Sequence, residues 1–112
     1  MSDKDRMIFE RIVTYCDQAK EACDMFGYSE AMFIQSSVFQ NACCMCLIQI
    51  GELAGKLSDE AREISKDIPW KQIRGLRNVC AHNYGNLSLE SVWVTISEDL
   101  PALRTACINL LG

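Results

Sequence analysis

The spacing of apolar residues along this chain is helical almost from end to end. Ile8, Ile12, Tyr15, Ala19, Ala22 and Phe26 recur at intervals of four, three, four, three and four. That stripe predicts a first helix over about Asp3 to Met25. Gly27 follows, in the usual place of a glycine past a helix C-terminus. Ser29 reads as the N-cap of a second helix running to about Leu57. Phe39, Cys43, Cys46, Ile50, Leu53 and Leu57 form its main stripe. Val38, Ala42 and Met45 widen the stripe, and Cys44, Leu47 and Ile48 leave the middle apolar nearly all round. A helix apolar on every side must be covered on every side. In so short a chain, that predicts a central helix that also meets a second subunit.

Ser58 then caps a short acidic helix, Asp59 to Ile64. Asp67-Ile68-Pro69 opens the next helix, with Pro69 in the first turn, where a missing N–H is no loss. Trp70, Ile73, Leu76 and Cys80 can face the core. The pattern should end near His82 to Tyr84, because Gly85-Asn86 breaks it. The last helical region begins near Ser88. Leu89, Val92, Ile96, Leu100, Leu103, Cys107 and Leu110 keep one phase across Pro101, as one kinked helix or two nearly collinear ones would. Four main helices joined by short loops predict a single all-α domain over residues 1–112. The architecture expected is an antiparallel up-and-down helical bundle, dimeric through the second and fourth predicted helices.

Composition narrows the picture. Hydrophobic residues at 49% and charged residues at 23% are too apolar a mixture for disorder. A net charge of −4 argues against wrapping by nucleic acid through bulk charge. Locally the sign reverses: Lys66, Lys71, Arg74 and Arg77 against Asp67 make the stretch from Lys66 to His82 net +3. Such a stretch in an acidic protein can focus an anionic ligand. The start, Met-Ser-Asp-Lys-Asp-Arg, is charged and lacks the apolar region of a signal peptide. With an odd number of cysteines, seven, that predicts a cytoplasmic chain without a disulfide framework. No uncharged apolar stretch is long enough to span a bilayer, since the run from Ala31 to Gly51 is broken by Gln35, Ser36, Ser37, Gln40, Asn41 and Gln49, so no membrane association is expected. Cys43-Cys44-Met45-Cys46 lacks the second cysteine pair of a structural zinc site, and the only histidine is distant in sequence. These cysteines therefore read as buried small hydrophobes, with neither metal nor other cofactor expected.

The chemistry concentrates in Arg77-Asn78-Val79-Cys80-Ala81-His82-Asn83-Tyr84. Histidine takes or gives a proton near neutral pH. Arginine stays charged and offers a planar fork to phosphate oxygens. Asn78 and His82 are four apart on a helix, so Asn78 can steady the imidazole. Arg77 and His82 lie roughly 140° apart by the helical period, and reach one cleft only through the length of arginine or a loosened last turn. These residue types suit cleavage of RNA by its own 2′-hydroxyl, which needs a base, an acid and a cation at the phosphate. A two-fold dimer would supply a second histidine.

The same segment resembles the R-x4-H-x-Y motif of the HepT group of HEPN-domain proteins. Ile68-Pro69-Trp70-Lys71-Gln72-Ile73-Arg74-Gly75-Leu76 resembles the lead-in to that motif. Leu89-Glu90-Ser91-Val92-Trp93 and Asp99-Leu100-Pro101-Ala102-Leu103 resemble the region after it. The resemblance implies a dimeric HEPN-like bundle with two motifs facing one cleft. It implies a metal-independent endoribonuclease, the toxin of a type VII-like toxin–antitoxin pair. His82 would then transfer protons and Arg77 would stabilise charge on the scissile phosphate. Asn78 would support them, and Lys71 and Arg74 would be candidate RNA contacts. Tyr84 would be the residue that a partner antitoxin, a minimal nucleotidyltransferase of the MntA type, modifies with AMP. The alternative is a non-catalytic helical partner, or substrate subunit, of such a nucleotidyltransferase.

Overall fold

The computed structural model describes residues 1–82 and 88–112, with the backbone alone at Val79, Ala81 and His82. Its helices are α1 (Asp3–Met25), α2 (Glu30–Gln35), α3 (Ser37–Ala54), α4 (Asp59–Ile64), α5 (Trp70–His82), α6 (Leu89–Val94) and α7 (Leu100–Leu111). A π-helical turn, Thr95–Asp99, joins the last two. Among the described residues there is no strand, so the chain is all-α. Among them no helix is long and apolar enough to cross a membrane. Helix α1 packs on α3 and α7, and α3 packs on α5.

Serines start most of these helices. The hydroxyls of Ser2, Ser29, Ser36, Ser58 and Ser88 accept from the backbone N–H three residues on, at Asp5, Met32, Phe39, Ala61 and Ser91. Each such cap satisfies a donor that the helix itself leaves free. Ser36 corrects the single second helix expected from Ser29 to Leu57. Its backbone is extended, its N–H closes α2 on the Met32 carbonyl, and its hydroxyl opens α3. Gln40 Nε2 donates to the carbonyls of Phe33 and Ile34, at 2.9 and 3.1 Å. Short-range side-chain bonds thus offer the backbone an alternative to an unbroken helix. The far end is also earlier than expected. Beyond Ala54 the N–H groups of Lys56 and Leu57 turn to the carbonyls of Leu53 and Ala54, tightening the last turn.

Phe39, Cys43, Cys46, Ile50, Leu53 and Leu57 are all buried, as their spacing predicts. On α1 the buried line is rotated from the expected one. Phe9, Cys16 and Cys23 join Ile8, Ile12 and Ala19 in the core, while Tyr15, Ala22 and Phe26 are half-buried against it. Val38 and Met45, expected to widen the α3 stripe, instead face outward at 69% and 54% exposure, and Ala42 lies exposed between them. Phe33, Phe39 and Trp93 pack ring on ring, and Phe26 stacks on Phe39 at 4.5 Å. This cluster ties α2 and α3 to α6.

Helix α5 begins one residue later than expected. Pro69 stands just outside it, and its carbonyl accepts the first helical bond, from Ile73. The start of α5 is fixed by Trp70. Its indole N–H donates to Ser65 Oγ at 3.0 Å, and Ser65 Oγ donates to the Ala61 carbonyl at 2.6 Å. Pro101 explains the π turn. A proline has no N–H and crowds the carbonyl four residues earlier. Just before it the helix widens, and the Leu100 N–H bonds to the Thr95 carbonyl, five residues back.

Asp5, 3% exposed, joins α1 to the start of α4. Its carboxylate accepts from Ser58 Oγ at 2.6 Å and from the Ser58 N–H at 3.1 Å. The bond from the Ser58 hydroxyl, seconded by that from the backbone, holds its pKa below the ordinary 3.8. A carboxyl depressed in the folded state stabilises above the unfolded pKa, and that contribution is lost as pH falls through the folded one. Asp5→Ala is therefore expected to lower stability by about 2 kcal/mol at neutral pH. In urea titrations the difference from the parent should shrink as the pH falls below about 4.

Candidate functional site

The site is built where α3 and α5 touch. Gly51 is buried on α3, and a Cβ placed there would collide with Cβ and Cγ of Arg77 on α5. Only a glycine lets the aliphatic stem of Arg77 lie this close to the α3 backbone. One turn on, Gly55 sits beside the Arg74 guanidinium, and its carbonyl accepts from Arg62 Nη2 at 3.0 Å.

With its stem fixed, the Arg77 head is held from two sides. Nη1 donates to Asn78 Oδ1 at 2.7 Å. Nη2 forms an ion pair with Glu52 Oε1. Nε is buried and has no partner among the described residues. The Arg77 side chain is 27% exposed and that of Glu52 44%. Gly51, Glu52, Gly55, Lys56, Arg74, Arg77 and Asn78 line a hollow of about 220 Å³. Among the described residues Lys56, Lys71 and Arg74 have no ion pair. The depression thus carries unneutralised positive charge beside a fixed guanidinium, which suits a phosphodiester. A larger hollow of about 450 Å³, bordered by Leu47, Ile73 and Leu103, contains neither Arg77 nor Asn78.

The structure therefore brings Arg77, Asn78 and Arg74 to one depression and leaves Lys71 exposed on α5, outside its lining. Asn78 was expected to serve His82, and its carbonyl oxygen serves Arg77. His82 is the last residue of α5. Its side chain, and all of Tyr84, lie outside the described residues. Glu52 is the site residue that sequence reasoning missed. It is the one charged residue between Ala31 and Gly55, and a lone carboxylate in an apolar helix was the available signal.

Behind Arg77, the same helix pair is joined by thiols. None of the seven cysteines is in a disulfide, and all are buried. A hydrogen bond between Cys80 and Cys44 raises the Cys80 pKa, and burial adds to it. Burial pushes Cys46 up to about 11 and Cys16 and Cys107 up to about 12. Thiols so raised are poor nucleophiles at neutral pH. Among the described residues no group of three or more His, Cys, Asp or Glu side chains is placed to hold a metal ion.

An all-helical domain with a phosphate-suited arginine on a helix packed against α3 defines a class of fold and site, and comparison with known proteins supplies the family. The model of the family described as ribonuclease HepT-like matches residues 12–110, and the chain belongs to that family. It is 30% identical over 106 residues to a protein named "Putative RNase" of Caldanaerobacter subterraneus subsp. tengcongensis, covering 95% of this chain and 93% of that one. It is 31% identical over 72 residues to another of that name in Methanocaldococcus jannaschii, covering 64% and 66%. It is 26% identical over 72 residues to the "Probable ribonuclease HepT" of Thermococcus cleftensis, again covering 64% and 66%. No solved structure gives a significant match.

Proposed function

We propose that this chain is a metal-independent endoribonuclease that acts as the toxin of a toxin–antitoxin pair and is silenced by adenylylation of Tyr84. The observation that supports this most is the fixed guanidinium of Arg77 in a net basic depression, in a chain of the HepT-like ribonuclease family. In the reaction, the RNA 2′-oxygen attacks the adjacent phosphorus and its proton passes to a base. The bond from phosphorus to the 5′-oxygen breaks, and an acid protonates the leaving oxygen. Charge that builds on the non-bridging oxygens is met by Arg77. His82 supplies proton transfer, and a dimer brings the second histidine that separate base and acid require. Arginine and histidine then provide what a metal ion would otherwise supply.

The dimer has its own support. Val38, Ala42 and Met45 form an outward stripe on α3, continued by the half-buried Gln49, and the next residue in phase is Glu52. A second copy on that stripe covers exposed apolar surface and borders both sites. Light scattering should show a dimer at micromolar concentration, and a monomer there would count against it.

The protein should cleave single-stranded RNA in EDTA and leave 2′,3′-cyclic phosphate and 5′-hydroxyl ends. Co-expression with a cognate nucleotidyltransferase should add AMP at Tyr84, located by peptide mass spectrometry, and abolish cleavage. An anionic group added within the motif that holds Arg77 would repel the RNA backbone. Tyr28, in the turn after α1, is 40% exposed and serves as control. Modification of Tyr28 alone would defeat the control mechanism. Modification of Tyr84 on a chain that never cleaves RNA would favour the non-catalytic partner.

A further inference from the structure

We infer that Glu52 is a positioning residue of this site, one that holds the Arg77 guanidinium in the orientation that receives phosphate. The inference rests on the ribonuclease reading for its kinetic test, but on the geometry for its substance. Arginine has five N–H donors. The Nε–H of Arg77 is buried against the α3–α5 contact. Each terminal nitrogen carries two more. Asn78 Oδ1 takes one from Nη1, and Glu52 Oε1 takes one from Nη2. One N–H on each terminal nitrogen has no acceptor among the described residues and is left to donate to a phosphate oxygen.

Neither partner can do this alone. Asn78 precedes the motif histidine on α5 and moves with Arg77, whereas Glu52 stands on α3. The Glu52 bond therefore fixes the guanidinium against the other helix, with Gly51 beneath the stem. A guanidinium fixed before substrate arrives need not be reoriented during the reaction, which is how preorganised donors accelerate a step. The carboxylate has a cost. Its negative charge lies beside the path of an incoming phosphate and opposes binding. Orientation and charge can be separated, because glutamine keeps an acceptor oxygen and loses the charge.

The test compares Glu52→Ala and Glu52→Gln with the parent. In single-turnover cleavage of a short RNA, Glu52→Ala is expected to lose about 10- to 100-fold in rate, at or below the roughly 100-fold that removing a preorganised donor itself costs at least, because the arginine is kept and only its orientation is loosened. Glu52→Gln is expected to stay at least tenfold above Glu52→Ala and to bind a 2′-deoxy, uncleavable analogue more tightly than the parent. A merely structural ion pair would alter the melting temperature without this opposite movement of rate and affinity. The inference is overturned if Glu52→Ala cleaves like the parent, or if Glu52→Gln is as slow as Glu52→Ala. Glu52→Leu, which also lacks an acceptor and suits a helix, replaces the alanine variant if that one fails to fold. A second readout needs no cleavage. The Arg77 Nε–H should exchange slowly with water by 15N NMR in the parent and in Glu52→Gln, and quickly in Glu52→Ala. Slow exchange in all three overturns the inference. If the parent never cleaves RNA but the exchange pattern appears, the ribonuclease reading fails and the positioning role stands.

Discussion

His82→Ala is expected to slow RNA cleavage by about 10²- to 10⁴-fold, the usual worth of a general acid or base. His82 is the only histidine in the chain, so no second imidazole within the protomer can replace it. It closes α5 five residues after Arg77, and the backbone of α5 is anchored upstream by Trp70 and Ser65. The loss should therefore be chemical rather than structural. Far-UV circular dichroism and the melting temperature should match the parent while the rate falls. The pH profile makes the assignment sharper. A histidine that transfers protons gives the parent's kcat/KM an inflection with pH, and the variant's residual activity should lack it. Equal rates for parent and variant would remove His82 from the mechanism.

Arg77→Lys is expected to cost about 10²- to 10³-fold in kcat, although the charge and most of the stem are kept. The stem still fits over Gly51. What is lost is the fork. A guanidinium meets Asn78, Glu52 and a phosphate at once through different N–H groups held in one plane. An ammonium has a single nitrogen and cannot present that planar arrangement. Lysine should instead pair with Glu52 and leave the phosphate poorly held. The fall should appear in kcat more than in KM, because the interaction strengthens as charge develops on the phosphate. A rate within threefold of the parent would mean that Arg77 supplies only charge. These two substitutions report on different parts of the reaction. Their combined effect should fall short of the product of the two if both act on one step.

Much of the architecture was legible because its causes are local. A stripe at helical spacing ended by Gly27 gave α1, the serine at position 58 gave α4, and a second stripe gave the main buried line of α3. Ser36 was passed over because a serine inside an apolar run reads as a tolerated helix residue. Its capping role depends on Gln40 collecting the carbonyls of Phe33 and Ile34. The rotation of the α1 stripe toward Phe9, Cys16 and Cys23 came from the same kind of gap. Periodicity fixes which residues share a face, but the neighbouring helices α3 and α7 decide which line of that face is innermost.

The candidate site divides in the same way. Arg77, Asn78, His82 and Tyr84 lie within eight consecutive residues, so their grouping and chemistry could be read from the chain itself. Glu52 is 25 residues from Arg77, and nothing in the spacing of either predicts their meeting. It is decided by Gly51, which lets α5 approach α3 until the Arg77 stem lies on the backbone and its head reaches the carboxylate. The sequence by itself thus determined the helices and the reactive residue types, because both follow from short-range spacing. The tertiary structure alone decided which side chain holds the arginine, because that contact depends on the closeness of two helices packed over a missing Cβ.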